Sequence, residues 1–343
     1  MKIIDLFSGI GGFSLGFQKA GFQFTEHYFS EIDKHAIANY KHNFPHAKYI
    51  GDITSIHGGD FTGIDVITFG SPCQDFSLAG KREGLKGAKS SLIQHAIALI
   101  AHVRPGLFVW ENVKGAFSSN AGADFWAIIK AFANIGGYRL EFQLLNTKWL
   151  LPQNRERIYL IGHLAGRSIP GVFPIGENDK LPKGKTRKEN RKSTSIKTSL
   201  ARTITARYSK MGSNDTYIVP KVAATLTGGG HSGGLHSDMT VIRQLKRGKN
   251  KGADLTICPT ISSNAFQENN LLDGVRRLTE IECERLQGFP DNWTQYGDYN
   301  GKIRRISKTQ RYKLIGNAVT VDIVTMIAKR LKFIEYENHK IPC

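Results

Sequence analysis

Cysteine is scarce in this 343-residue chain: Cys73, Cys258, Cys283 and Cys343 lie far apart, and no two form a C-x-x-C pair. That spacing supports neither a zinc cage nor a disulfide framework, so each thiol is judged singly and no metal is expected. Long apolar runs are missing as well. No stretch nears the roughly 20 apolar residues that a spanning helix needs, which removes a membrane partner from the expectations. Lys2 is followed at once by the strand-like run Ile3-Ile4-Asp5-Leu6-Phe7 rather than a leader, so a cytoplasmic protein is expected. Acidic residues are in deficit: 29 Asp and Glu stand against 47 Lys and Arg, a net charge of +18. Such an excess points to a polyanion, nucleic acid before membrane, or else to a merely basic, soluble surface. Its distribution is uneven. Residues 166–277 hold 20 Lys and Arg against 8 Asp and Glu, so 12 of the net 18 charges lie there.

The first half alternates short apolar runs with helical patterns, the signature of a doubly wound α/β sheet. Strands are expected at Lys2–Phe7, Phe24–Phe29, Asp65–Phe69, Leu107–Trp110, Leu140–Leu145 and Arg157–Gly162. Helices are expected near Gly12–Ala20, Asp33–Asn43, Leu92–Val103 and Asp124–Ile135. In Leu92–Val103 the stripe Leu92, Ala96, Leu99, Val103 has Ile93, Ile97 and Ile100 beside it, a face wide enough to lie on a sheet. After Gly166, Pro, Gly, Ser, Thr and Lys dominate, and Lys183–Lys192 reads as a basic loop that either touches phosphate or is a solvated linker. Arg202–Thr205, Ala224–Thr227 and Pro259–Ser262 form a weak repeat of short strands ending in polar loops, or a chance likeness among Thr-rich segments. Thr279 and Glu282 fit a capping box opening a helix through Leu286. A last helix, about Ala318–Leu331, carries Val321, Val324, Ala328 and Leu331 on one face. The expected division is a catalytic and cofactor-binding domain at 1–167, an inserted domain at 168–277, a hinge at 278–310 and a return at 311–343.

Four motifs carry chemistry. Asp5-Leu6-Phe7-Ser8-Gly9-Ile10-Gly11-Gly12 is a glycine-rich turn between a strand and a helix, where a cofactor can approach the backbone closely. A dinucleotide fingerprint would want glycine at 9, 11 and 14, and position 14 is Ser, which disfavours NAD. Glu31 and Asp52, at the ends of the second and third strands, suit ribose hydroxyls and an adenine amino group, so an adenosine-type cofactor is expected. The second motif, Gly70-Ser71-Pro72-Cys73-Gln74, puts a thiol at the carboxyl end of a central strand. A lone cysteine is usually an inert core residue, but a Pro-Cys loop before a glycine-rich segment fits a nucleophile. The third, Glu111-Asn112-Val113, ends an apolar strand, where desolvation would keep a proton on the carboxyl; a helix cap is the alternative. The fourth, Gln153-Asn154-Arg155-Glu156-Arg157, sets two arginines on one face by period-2 geometry, for a base or phosphate oxygen and a thiolate, or for surface ion pairs.

In this order, these motifs resemble those of the cytosine-5 DNA methyltransferase family. Arg277-Leu278-Thr279 leading to Glu284-Arg285-Leu286-Gln287-Gly288-Phe289-Pro290 resembles the family's penultimate block, and Ile315-Gly316-Asn317-Ala318-Val319 its last. The likeness spans about residues 1–165 and 276–331. It implies a Rossmann-like methyltransferase domain with an inserted, mostly β or irregular target-recognition domain. It also implies S-adenosyl-L-methionine as cofactor and double-stranded DNA as substrate. A monomer is expected, with a companion restriction endonuclease as a further partner of such systems.

By that resemblance Cys73 would add to carbon 6 of a flipped cytosine, and Glu111 would hold N3 and the amino group. Arg157 would hold the base oxygen and orient Glu111; Arg155 would lie near the thiolate or a phosphate. Phe7, Gly9, Gly11, Glu31, Ile32, Asp52, Ile53, Pro72, Leu92 and Asn317 would line the cofactor site. The chain departs from the family at two places: Ser90-Ser91-Leu92-Ile93 lacks a common phenylalanine, and Ser71 replaces a common bulky residue. Cys283 reads as packing. The rivals are an RNA cytosine methyltransferase, a catalytically dead DNA-binding relative and an NAD-dependent oxidoreductase. The long basic insertion, the full set Cys73, Glu111, Arg155 and Arg157, and Ser14 argue against them in turn.

Overall fold

Seven strands alternate their side chains between two apolar layers, and that alternation builds the core. The computed structural model describes residues 1–71, 92–165, 171–176 and 276–338, with short strands at 242–244, 253–255, 258–259 and 270–272. The first half runs β1 (Lys2–Leu6), α1 (Gly12–Lys19), β2 (Glu26–Ser30), α2 (Lys34–Asn43), β3 (Lys48–Tyr49) and β4 (Val66–Gly70). It continues through α3 (Leu92–Val103), β5 (Leu107–Val113), α4 (Ala123–Asn134), β6 (Tyr138–Asn146), β7 (Gln153–Asn154) and β8 (Glu156–Leu164). The main sheet has the order β3-β2-β1-β4-β5-β8-β6. Its strands are parallel except β8, which runs antiparallel to both neighbours. Strand order reverses between β1 and β4, so the crevice at their carboxyl ends is where such a sheet takes its ligands.

Ile3, Val66, Val109, Tyr159 and Ile161 face one layer, with Phe13 and Phe17 of α1 and, from the C-terminal region, Ile323, Val324 and Ile327. Their neighbours Ile4, Ile67, Phe108, Ile158 and Leu160 face the other, against α3 and α4. Burial on both faces explains why these strands read as nearly continuous apolar runs. The buried side of α3 is Ile93, Ala96, Leu99 and Ile100. The stripe is therefore centred one residue later than the sequence pattern predicts, with Leu92 half-buried at its margin.

Within the basic insertion, β9 (Ile242–Gln244), β10 (Ala253–Leu255), β12 (Asn270–Leu272) and β13 (Arg276–Arg277) form an antiparallel sheet of order β10-β9-β12-β13. β11 (Cys258–Pro259) instead joins β7 in parallel. Arg202–Thr205, Ala224–Thr227 and the loop Lys183–Lys192 lie outside the described residues. The segment 171–176 packs back on the first layer through Val172 and Ile175.

The chain then returns through α5 (Glu280–Leu286), the hairpin β14 (Tyr296–Asp298) and β15 (Ile303–Arg305), α6 (Lys308–Asn317) and α7 (Val321–Asn338). α5 opens with the expected capping box: Thr279 and Glu282 satisfy each other's backbone amides. Val321, Val324, Ala328 and Leu331 are all buried, as the periodicity of the last helix predicts. α7 packs on α1 so closely that a Cβ on Gly16 would lie 2.5 Å from Val324 Cγ1. α6 has no counterpart among the helices that the sequence predicts. Its Arg311 is buried by an ion pair with Glu284, which breaks the apolar pattern that would announce a helix. Among the described residues no helix is long and apolar enough to cross a membrane.

Candidate active site

The glycine turn leaves β1 through three left-handed residues, Phe7 (φ 49°), Gly9 (φ 54°) and Gly11 (φ 82°). At Gly11 the need is twofold, since a Cβ would also stand 2.3 Å from Phe44 Cε2. At Gly9 a Cβ would meet nothing within 4 Å among the described residues, so the turn presents an open backbone face to them there. The turn is tied to β2: Ser8 N donates to the Ser30 carbonyl at 3.0 Å and Gly9 N to Glu31 Oε2 at 2.8 Å. The second Glu31 oxygen accepts the amides of Ile32 (2.8 Å) and Asp33 (3.0 Å), which leads the chain into α2.

The next side chain, Ile32, is 72% exposed, an apolar surface at the rim of this turn. Ser30 Oγ donates to the Gly51 carbonyl at 2.8 Å and so draws the exposed Asp52 toward β2. Phe7, Gly9, Gly11, Glu31, Ile32 and Asp52 thus gather at the carboxyl ends of β1, β2 and β3. Ile53 does not join them with its side chain, which is buried in the α3/α4 layer; it follows Asp52, the N-cap of a short helical turn at Ile53–Ser55. Asn317 is exposed at the last position of α6. Two residues on, Val319 Cγ2 would stand 2.6 Å from a Cβ on Gly12, so the C-terminal return lies directly on the glycine turn. Leu92 opens α3 and packs against the second layer.

Beneath the turn lies a buried polar cluster that the motifs did not announce. Asp5, fully buried, accepts from Thr68 Oγ1 (3.0 Å), Ser14 Oγ (3.1 Å) and Tyr40 Oη (3.1 Å). His27 Nε2 lies 3.0 Å from Ser14 Oγ and 2.7 Å from Tyr40 Oη. Burial drives the Asp5 carboxyl up to about 7 against the pull of those hydroxyls, and burial drives His27 down to about 4. Ser14, the residue that spoils a dinucleotide fingerprint, is the hub. A glycine there would leave a carboxylate, an imidazole and a phenol without their common partner. The signals for this in the sequence are Asp5, a charge inside the apolar run Ile3–Phe7, and Ser14, a polar residue on the inner face of α1.

The second half of the site stands at the ends of β4, β5 and β8. Glu111 is buried on β5, and its Oε1 lies 3.0 Å from Arg157 Nε. Among the described residues no hydrogen-bond donor is aimed at that oxygen, so the contact with Arg157 is an ion pair. Gly70 stands opposite Glu111 in the register, and a Cβ there would sit 3.2 Å from Glu111 Oε2. Arg155 precedes β8 and is 3% exposed; its guanidinium donates to the carbonyls of Ala318 (2.8 Å) and Gly316 (3.4 Å) at the end of α6. Tyr159, paired across the strands with Glu111, is held above the ordinary phenol range by burial and Glu111, against the pull of Arg155 and Arg157. Both arginines therefore act on the Glu111 side of the sheet, as the period-2 reading implies. Pro72 and Cys73 lie outside the described residues.

The C-terminal blocks are pinned to this region by buried polar contacts. Gln153 Nε2 donates to the Leu286 carbonyl at 2.7 Å, and Thr320 Oγ1 bridges Thr147 Oγ1 (2.9 Å) and Gln287 Oε1 (3.0 Å). Glu284, fully buried, accepts from Arg311 Nη2 (2.9 Å), Asn292 N (2.7 Å) and the Thr294 hydroxyl. Trp293 Nε1 reaches the Ile10 carbonyl at 2.9 Å, inside the glycine turn. Among the described residues no group of three His, Cys, Asp or Glu could hold a metal ion.

Comparison with known proteins agrees in kind. A family model described as C-5 cytosine-specific DNA methylase matches residues 1–333. The type II methyltransferase M.NgoBI of Neisseria gonorrhoeae is 32% identical, covering 96% of this chain and 92% of its own. The type II methyltransferase M.Bsp6I of Bacillus sp. (strain RFL6) is 29% identical, covering 96% and 98%. Among solved structures, an E. coli prophage-encoded putative DNA modification methyltransferase superposes with a TM-score of 0.61 at 22% identity, covering 98% of this chain and 99% of its own. The S. pombe Dnmt2 methyltransferase gives 0.57 at 18% identity, covering 99% and 100%.

Proposed function

Given that the chain belongs to the C-5 cytosine-specific DNA methylase family, we propose a covalent route for its methylation of cytosine in DNA. The protein is a DNA cytosine methyltransferase. In the proposed route the target base is turned out of the duplex, and the Cys73 thiolate adds to carbon 6. Negative charge then spreads over the ring. Glu111, at N3 and the amino group, and Arg157, at the base oxygen, stabilise it. Carbon 5, now nucleophilic, takes the methyl group. Loss of the carbon 5 proton to a base, with departure of the thiolate, restores the 5,6 double bond. The pair Glu111–Arg157, whose Oε1 has no aligned donor among the described residues, is the observation that carries this reading.

The residues around the glycine turn fit S-adenosyl-L-methionine. The open face at Gly9 accepts close approach, Glu31 Oε2 keeps one lone pair beside the Gly9 amide for a ribose hydroxyl, and Ile32 offers an exposed apolar surface to adenine. When bound, that cofactor supplies an electrophilic sulfonium methyl. Phe7, Gly11, Asp52 and Asn317 complete the site, with the Ile53 backbone, Pro72 and Leu92 at its edge. Target recognition falls to residues 168–277, whose charge suits a duplex backbone. The reading places the enzyme in the cytoplasm as a monomer. The type II relatives suggest a companion endonuclease, and the orphan methyltransferase of Bacillus phage SPR a solitary role.

A duplex carrying 5-fluorocytosine tests the route, because fluorine at carbon 5 blocks the final elimination. Wild type with S-adenosyl-L-methionine should form a stable protein–DNA adduct, and Cys73→Ser should bind the same duplex without forming one. An adduct of equal yield with Cys73→Ser would overturn the assignment.

A further inference from the structure

We propose that Ser71 is a positioning residue, a clasp that locks the strand end leading to Cys73 onto the strand end that carries Glu111. The proposal rests on the reading above that Cys73 is the nucleophile. Ser71 follows β4 directly and is buried. Its Oγ accepts from Trp110 Nε1 at 2.9 Å and from Asn112 Nδ2 at 3.1 Å. These are the residues on either side of Glu111 in β5. Because strand side chains alternate, Trp110 and Asn112 project to one face of the sheet and Glu111 to the other. A hydroxyl has two acceptor lone pairs, and these two donors engage both.

The donors are themselves held. Trp110 is fully buried in the α3/α4 layer, so its indole N–H is a fixed point, and the Asn112 carbonyl oxygen accepts the Val113 amide at 2.8 Å. On the opposite face, Gly70 has no side chain to push the Glu111 carboxylate away from β4. The clasp and this gap together set the end of β4 against Glu111 from both sides. Two peptide units separate Ser71 from Cys73, a path of at most about 7.6 Å between Cα atoms. The clasp therefore acts within two peptide units of the thiol.

The test measures adduct formation on the 5-fluorocytosine duplex in a single turnover, with steady-state methylation alongside. Ser71→Ala should trap and turn over about ten- to a hundredfold more slowly, the size expected when a reacting group is misplaced by a fraction of an ångström to about an ångström. KM for S-adenosyl-L-methionine and affinity for the duplex should stay unchanged. Ser71→Thr, which keeps the hydroxyl, should recover most of the rate. Trp110→Phe, which keeps a ring and loses one donor, should slow trapping by a smaller factor. Folded Ser71→Ala that traps at the wild-type rate overturns the clasp. If Ser71→Ala does not fold, a wild-type rate in Trp110→Phe overturns it. Absence of any adduct in wild type would instead overturn the covalent route, and the clasp with it.

Discussion

The Gly9 amide and the Glu31 carboxylate meet at 2.8 Å, joining the carboxyl ends of β1 and β2 through one charged hydrogen bond. Glu31 thus shapes the glycine turn in addition to the ribose contact proposed for it. Glu31→Ala should weaken S-adenosyl-L-methionine binding about 10- to 150-fold, the loss of roughly 1.5–3 kcal/mol for a charged partner. Calorimetric affinity equal to wild type would remove Glu31 from the cofactor site.

Asp5 makes stability depend on pH. Its folded value of about 7 lies above the roughly 3.9 of an unfolded carboxyl, so between those values the folded state binds more protons. The Asp5 contribution is therefore full below about pH 4 and is lost as pH rises toward 7. His27, held down at about 4, works the other way: its neutral burial costs stability as pH falls through 6.5 toward 4. Asp5→Asn removes the first effect and leaves the second. Its unfolding free energy relative to wild type should rise from pH 5 to pH 7, with a slope of at most about 1.4 kcal/mol per pH unit. A pH-independent difference would contradict a titrating Asp5.

Gly16 sets the distance between α1 and α7. A methyl group there would press on Val324 Cβ and Cγ1 at 2.6 and 2.5 Å. Gly16→Ala should cost about 1–3 kcal/mol in urea unfolding, the usual range for overpacking. Adding Val324→Ala should return part of that loss, since the obstructing atom is removed. A double variant whose losses simply add would argue against direct contact.

The basic loop Lys183–Lys192, which lies outside the described residues, is expected to touch phosphate. Neutralising Lys183, Lys185, Arg187, Lys188, Arg191 and Lys192 should flatten the log–log dependence of DNA affinity on salt by about 0.9 for each phosphate no longer neutralised. The methylated sequence should stay the same, because phosphate-binding side chains position a protein without reading bases. An unchanged slope would make the segment a solvated linker.

Strand and helix positions, the capping box at Thr279 and Glu282, and the inner face of α7 were legible in the residues because each depends on local periodicity or local capping. The glycine turn was legible for the same reason: a left-handed backbone at Gly9 and Gly11 is a local demand that glycine alone meets without strain. Family motifs added Glu111 and Arg157, and the fold brings those two side chains together. Tertiary structure alone decided the rest. Arg155 spends its guanidinium on carbonyls 161 and 163 residues further along the chain. Ser14 serves Asp5, His27 and Tyr40 at once, and Arg311 is buried because Glu284 waits for it. A polar side chain buried against a distant partner leaves no periodic trace. Its cost is offset only when both segments arrive, so the pairing belongs to the packed molecule and not to either stretch of sequence.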